Sequence, residues 1–336
     1  MAQRRTTQQS GEDLLIGRYF KPLARHPGAR GLIDDAAYLL PPKGHELVLK
    51  TDAIVGSVHF FNEDPADTVA CKALGVNLSD LAAKGAKPAG FLLTLALPKD
   101  WSQPWLKTFA RGLGRMAKRY GCPLLGGDTV MTPGPVTISI AAFGTLPKGT
   151  AVLRSGAKAG DVVVVTGTIG DAALGLKLRT DIGAIQRWKL DASMRAHLAQ
   201  RYLVPLPRNA VAEAVRRYAN GAMDVSDGLV GDLGKMLRAS GVGAAIDAAR
   251  VPLSRAARCV LEADPSALET VLTGGDDFEV LASVPPRKLA AMRKAARAAG
   301  VRLTEIGRFA KGSGTARFLD AQGRALKFAR PSWSHF

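Results

Sequence analysis

Leu47-Val48-Leu49-Lys50-Thr51-Asp52 and, one helix later, Asn77-Leu78-Ser79-Asp80 form the stretch on which the reading of this chain turns. The apolar run before Lys50 reads as a buried strand that carries a carboxylate, Asp52, at its C-terminal end. After Val58-His59-Phe60-Phe61, Asp64-Pro65 is expected to open a helix, with Asp64 as N-cap, Pro65 at the first helical position and Asp67 in the first turn. Val69, Ala73, Val76 and Leu81 keep roughly helical spacing, which predicts one buried face, and Asn77 and Asp80 share a face. Gly85-Ala86-Lys87-Pro88 stops the helix. A strand end and a helix thus bring carboxylates from separate elements, which is how hard-cation sites are usually built.

Outward from this stretch, apolar runs and punctuation alternate. Residues 1 to about 10 read as a basic arm, and Gly11 to Ala24 as a helix. Phe91–Leu97 reads as a strand and Ser102–Tyr120 as a long helix broken by Gly121-Cys122-Pro123. Leu124-Leu125-Gly126-Gly127-Asp128-Thr129 reads as a short strand, two glycines and a carboxylate, and Val136–Phe143 as another strand. Pro147-Lys148-Gly149 punctuates the middle, so the domains are expected to span 1–148 and 149–336. Beyond it come a strand at Asp161–Thr166, the turn Gly167-Thr168-Ile169-Gly170, a helix near Asp171 and another helix within 180–205. Met223-Asp224-Val225-Ser226-Asp227-Gly228 precedes a helix, and Gly274-Gly275-Asp276-Asp277-Phe278 leads into a strand at Glu279–Val284. A basic helix and a strand near Val301–Phe309 complete the series, so both halves predict an α/β or α+β architecture.

The chain has 336 residues, 47% of them apolar, which suits two packed domains and excludes global disorder. No apolar run is long enough to span a bilayer, and the basic, then polar start lacks a signal-peptide apolar region. Cys71, Cys122 and Cys259 are few, scattered and odd in number, which points to a reducing compartment, the cytoplasm, without a disulfide or zinc framework. A net charge of +17 raises the question of a polyanion partner. The charges are spread out, however, and no nucleic-acid-binding motif accompanies them, so nucleic acid is not expected as the main partner.

The chemistry resides in the aspartates. Asp34, Asp35, Asp52, Asp80, Asp128, Asp224, Asp227, Asp276 and Asp277 sit at junctions of apolar elements or beside glycines. One such residue is ordinarily a turn or a cap. Asp52 and Asp80 follow apolar segments without opening helices, so the set as a whole reads differently. Acids converging on one cleft repel one another unless cations join them, and magnesium, which binds carboxylates and phosphate together, is the natural ion. Gly126-Gly127 and Gly167–Gly170 are candidates for close backbone approach to a phosphate, although neither P-loop nor dinucleotide spacing is present. His59 alone reads as a structural histidine, and Trp333 as a packed tail or a stacking plane.

Asp34-Asp35-Ala36-Ala37, Thr51-Asp52, Val58-His59-Phe60, Lys72-Ala73-Leu74 through Lys87-Pro88, Gly126-Gly127-Asp128-Thr129, Leu153-Arg154-Ser155-Gly156-Ala157, Val165–Asp171, Asp224–Gly228 and Gly274–Glu279 occur in that order. In this order they resemble the thiamine-monophosphate kinase family, within the superfamily that includes aminoimidazole ribonucleotide synthetase and selenophosphate synthetase. The resemblance implies ATP-dependent phosphorylation of thiamine monophosphate to thiamine diphosphate, several magnesium ions and direct in-line transfer. It implies metal ligation by Asp34, Thr51, Asp52, Asp80, Asp128, Asp224 and Asp227, with Asp52, Asp80, Asp128 and Asp227 in the catalytic positions. Gly126, Gly127, Arg154 and Ser226 fall at ATP contacts, and His59, Asp276 and Trp333 at contacts to thiamine monophosphate. It also implies a homodimer joined through the N-terminal sheet, with the C-terminal domain closing the nucleotide and substrate cleft. Ile33, Lys50, Asp276 and Met131-Thr132-Pro133 depart from the commoner pattern; Lys50 stands where a small hydroxyl residue is usual, which either removes one metal contact or swaps it for a fixed cation. The rival readings are a sister enzyme with another phosphate or carboxylate substrate, and a basic polyanion-binding protein without catalysis.

Overall fold

The computed structural model describes residues 11–312 and 314–332, so Trp333 lies outside the described residues. A short helix, α1 (Gly11–Leu15), leads through a π turn and two 3-10 turns toward β1 (His45–Val55). α2 (Ala66–Ala83), β2 (Lys87–Pro98), α3 (Gln103–Tyr120), β3 (Leu124–Thr132) and β4 (Thr137–Pro147) follow. The four strands form one sheet in the order β1-β4-β2-β3. Only β2 and β3 run parallel, and α3 is the crossover between them. Ser102 caps α3 by accepting the Trp105 amide, and Gly121 ends it in the left-handed conformation.

The second half contains β5 (Val162–Thr166), α4 (Asp171–Thr180), α5 (Ile182–Trp188), α6 (Ala192–Leu203), α7 (Ala212–Tyr218), β6 (Gly221–Val225) and α8 (Leu229–Ser240). It continues with β7 (Val242–Asp247), α9 (Arg255–Ala263), α10 (Ala267–Thr273), β8 (Glu279–Val284), α11 (Pro286–Ala298), β9 (Leu303–Lys311) and β10 (Ala316–Leu319). Its sheet order is β10-β7-β9-β5-β8-β6. β5, β6 and β8 are buried at every position, as their unbroken apolar runs require when both faces are covered. The described residues are thus an α/β assembly with two sheets.

α2 joins the two halves. One side packs Leu74, Leu78 and Leu81 against the first sheet. Its end packs Ala82 and Ala83 against Val162, Val164 and Val280 of the second. The helix is therefore buried almost all round, not along the single face that its spacing suggested. Its start also differs. Pro65 precedes the first helical residue, and Asp64 accepts the Phe61 amide at 3.0 Å and pairs with Arg179 of α4 instead of capping. The cation from the other half claims the carboxylate that a cap would have used.

Candidate active site

A cleft of about 1350 Å³ lies between the halves and is lined by both. On one wall, β1 presents Lys50 and Asp52 on the same side, because strand side chains alternate. α2 presents Asp80 opposite. The Lys50 ammonium sits 2.9 Å from Asp52 Oδ1 and 2.9 Å from Asp80 Oδ2. Burial alone would lower the Lys50 pKa, but the charges and hydrogen bonds of Asp80 and Asp52 outweigh it and hold the ammonium protonated. Burial pushes the Asp52 carboxyl up more than the Lys50 ammonium pulls it down.

The facing wall comes from the second sheet. Asp224 ends buried β6 and is raised well above the usual carboxyl range by burial first and by the Asp80 charge next. Ser226 and Asp227 form the turn into α8 and line the same cleft. That turn is fixed by Asp232, whose Oδ2 accepts both the Ser226 and Asp227 amides at 2.8 Å. Lys235 joins Asp232 Oδ1 at 2.8 Å to the Asp227 carboxylate. Gly275 stands so close to this turn that a Cβ there would meet Ser226 O at 2.5 Å.

Aromatic and charged groups from both halves close the far end of the cleft. His59 Nδ1 accepts the Val55 amide at 3.0 Å, which places the ring proton on Nε2. Lys72, almost wholly buried on α2, donates to Asp276 Oδ2 at 2.9 Å and to His59 O at 3.2 Å, and lies 4.0 Å from the Tyr202 ring centre. Asp276 adopts a left-handed φ of 72° while its amide donates to Ser226 O. Arg179 lies 4.1 Å over the Phe61 ring and pairs with Glu63 and Asp64.

The expected carboxylates do not all meet here. Asp52, Asp80, Asp224 and Asp227 share the cleft with His59, Arg154, Ser226 and Asp276. Asp34, Gly126, Gly127 and Asp128 line a second cavity of about 690 Å³ over the other face of the first sheet. In register, Asp52 lies beside Ile140, Leu93 and Gly127 in turn, so Asp128 is three strand spacings away, roughly 14 Å. Thr51, the neighbour of Asp52, points to that other face, so the two side chains cannot hold one ion together within a single chain. The expectation that all these acids meet in one cleft is thus corrected: within one chain the sheet divides them.

The glycines also have structural reasons of their own. A Cβ at Gly127 would meet Leu93 O at 1.8 Å, so strand packing alone demands glycine there. At Gly167–Gly170 the amides are already bonded: Gly167 to Arg302 O, Ile169 to Pro252 O, and Gly170 to both oxygens of buried Asp277. That turn offers no phosphate cradle.

Among the described residues no three His, Cys, Asp or Glu side chains are arranged as a finished metal cage. The donor set still fits a hard cation between Asp80 and Asp224, where a buried acid faces a like charge. It does not fit one between Asp52 and Asp80, where Lys50 stands. Asp232, Lys235, Lys72, Tyr202 and Arg179 escaped the sequence reading. Only Asp232 left a signal, as an acid in the first turn of a helix that follows a Ser-Asp-Gly turn.

Comparisons with known proteins give the same outline. The family model described as AIR synthase related protein, N-terminal domain, matches residues 33–146, and the corresponding C-terminal domain model matches 158–320. Thiamine-monophosphate kinase of Caulobacter vibrioides is 41% identical, over 95% of this chain and 89% of that protein. The crystal structure of thiamine-monophosphate kinase from Stenotrophomonas maltophilia K279a superposes with a TM-score of 0.79 at 37% identity, over 88% of this chain and 91% of that one. A structure described as AaThiL complexed with AMPPCP and TMP gives 0.75 at 30% identity, over 88% and 89%. With both domain models in sequence and relatives alike over nearly the full length, the chain belongs to the thiamine-monophosphate kinase family.

Proposed function

We propose that the chain transfers the terminal phosphoryl group of ATP to the phosphate of thiamine monophosphate, giving thiamine diphosphate and ADP. The observation that carries this reading is a single cleft with acids from both halves on its walls and a cation-and-aromatic cluster at its end. The AaThiL structure, which holds AMPPCP and TMP, supports it. A phosphate oxygen of thiamine monophosphate attacks the γ-phosphorus in line, the bond to the bridging oxygen breaks, and ADP leaves without a phosphoenzyme. Asp80, Asp224 and Asp227 would hold magnesium, which when bound neutralises phosphate charge. Asp232 and Lys235 hold the Ser226–Asp227 turn in place. His59 and Asp276 orient the thiamine moiety, with Lys72 fixing Asp276.

Residues 1–148 are proposed as the ATP- and metal-binding half and 149–336 as the half that closes the cleft. The unmatched span between residues 146 and 158 supports that division. A homodimer through the first sheet is supported by its uncovered apolar face, where Leu49 is 67% exposed. A cytoplasmic location is supported by three unpaired cysteines, and no helix among the described residues is long and apolar enough to cross a membrane. The test is formation of thiamine diphosphate from thiamine monophosphate, ATP and magnesium. Asp80→Asn is expected to abolish it with circular dichroism unchanged. Full activity in that variant, or a trapped phosphoprotein, would defeat the reading.

A further inference from the structure

We propose that the Lys50 ammonium is a tethered cation that fills the space between Asp52 and Asp80, so that no divalent ion binds between these two carboxylates in this chain. The geometry is symmetrical, with Nζ 2.9 Å from one oxygen of each acid. The stem leaves β1 on the side that carries Asp52, and the two carboxylates hold its charge in place. A magnesium ion bridging the same oxygens needs distances of about 2.0–2.1 Å. It would claim the volume that Nζ fills, and a displaced Lys50 would still face the ion with a like charge. The two cations therefore exclude each other. The replacement is also unequal: one positive charge against two carboxylates leaves the pair at net −1, where a divalent ion would leave it neutral. Within this cleft a metal is thereby left the Asp80–Asp224 side. Lys50 acts as a positioning residue that decides where metal sits.

The inference rests on reading this cleft as the phosphoryl-transfer site, but its test needs no turnover, so one can fail without the other. The full chain and its Lys50→Ser and Lys50→Arg variants are titrated with Mn²⁺ alone, free ion being followed by electron paramagnetic resonance. Lys50→Ser is expected to bind about one more Mn²⁺ per chain than the unchanged protein. Lys50→Arg, which keeps the charge, is expected to match the unchanged protein. In chelator, Lys50→Ser is expected to melt lower, and added Mn²⁺ to restore it by more than it raises the unchanged protein. Equal stoichiometry and affinity in Lys50→Ser and the unchanged chain would overturn the proposal. An independent measurement needs no variant: a Mn²⁺ anomalous peak between Asp52 and Asp80 in crystals of the unchanged protein would overturn it, and its absence there, with Mn²⁺ bound near Asp224, would support it.

Discussion

Asp224 shows how far one side chain can be held from its preferred state. Burial and the neighbouring Asp80 raise its carboxyl well above the ordinary 3.8. Below that value the folded and unfolded chains both carry the proton. Above it the unfolded chain ionises first, so this residue subtracts stability as the pH rises. Asp224→Asn is therefore expected to raise the melting temperature of the ligand-free protein at pH 7 while lowering kcat by about 100-fold or more, as calorimetry and a coupled ADP assay would show. A lower melting temperature in that variant would contradict the charge argument. Asp52, Asp80, Asp224 and Asp227 were legible because each breaks an apolar run or follows one, a place where an unpaired carboxylate is costly. Their partners were not. Thr51 came from the resemblance alone, which does not show that neighbours on a strand face opposite ways. That the Leu93 carbonyl by itself demands glycine at 127 cannot be seen in the sequence.

At the scale of single elements, the turn into α8 and the start of α4 each hang on one buried acid. Asp232 satisfies two amides and Lys235 together. Asp232→Ala leaves those amides unpaired and is expected to cost about 1–3 kcal/mol in a urea melt, with a drop in kcat, since Asp227 loses its support. At the start of α4, burial alone would raise Asp171, but hydrogen bonds from His197, Ser254 and Thr168 bring it below the usual value. Such an acid stabilises the fold fully above its unfolded value, 3.8, and loses that contribution as the pH falls through its lower folded value. Asp171→Asn is expected to flatten the acid limb of stability below that point, measured as urea midpoints against pH. The same limb in both proteins would remove Asp171 from this role. The buried strands were legible as unbroken runs such as Val162–Thr166. β7, rich in small residues, and β10, only four residues long, fell below the signal. α2 was half-read, because an amphipathic pattern says which residues are buried but not that two separate cores share them.

For the whole molecule, the decisive contacts cross between the halves. Lys72 reaches Asp276, and Arg179 reaches Glu63, Asp64 and Phe61. Lys72→Met removes the ammonium that fixes Asp276 but leaves an apolar stem against Tyr202. It is expected to raise KM for thiamine monophosphate roughly 10-fold, about 1.4 kcal/mol, with a smaller change in kcat; steady-state kinetics would check this, and an unaltered KM would sever Lys72 from the substrate. The α/β class was legible in the alternation of elements, while the strand orders and this clasp were not, because nothing local encodes which distant segments meet. Lys72 and Asp276 are 204 positions apart. At about 5–20 residues per second, a ribosome takes roughly 10–40 s to pass from one to the other. Until the strands of the second sheet have followed, the nascent polypeptide carries α2 with the flank destined for that sheet uncovered. The newborn chain is then at its most adhesive, and a holdase or trigger-type chaperone that grips this helix would be guarding the catalytic cleft before it exists.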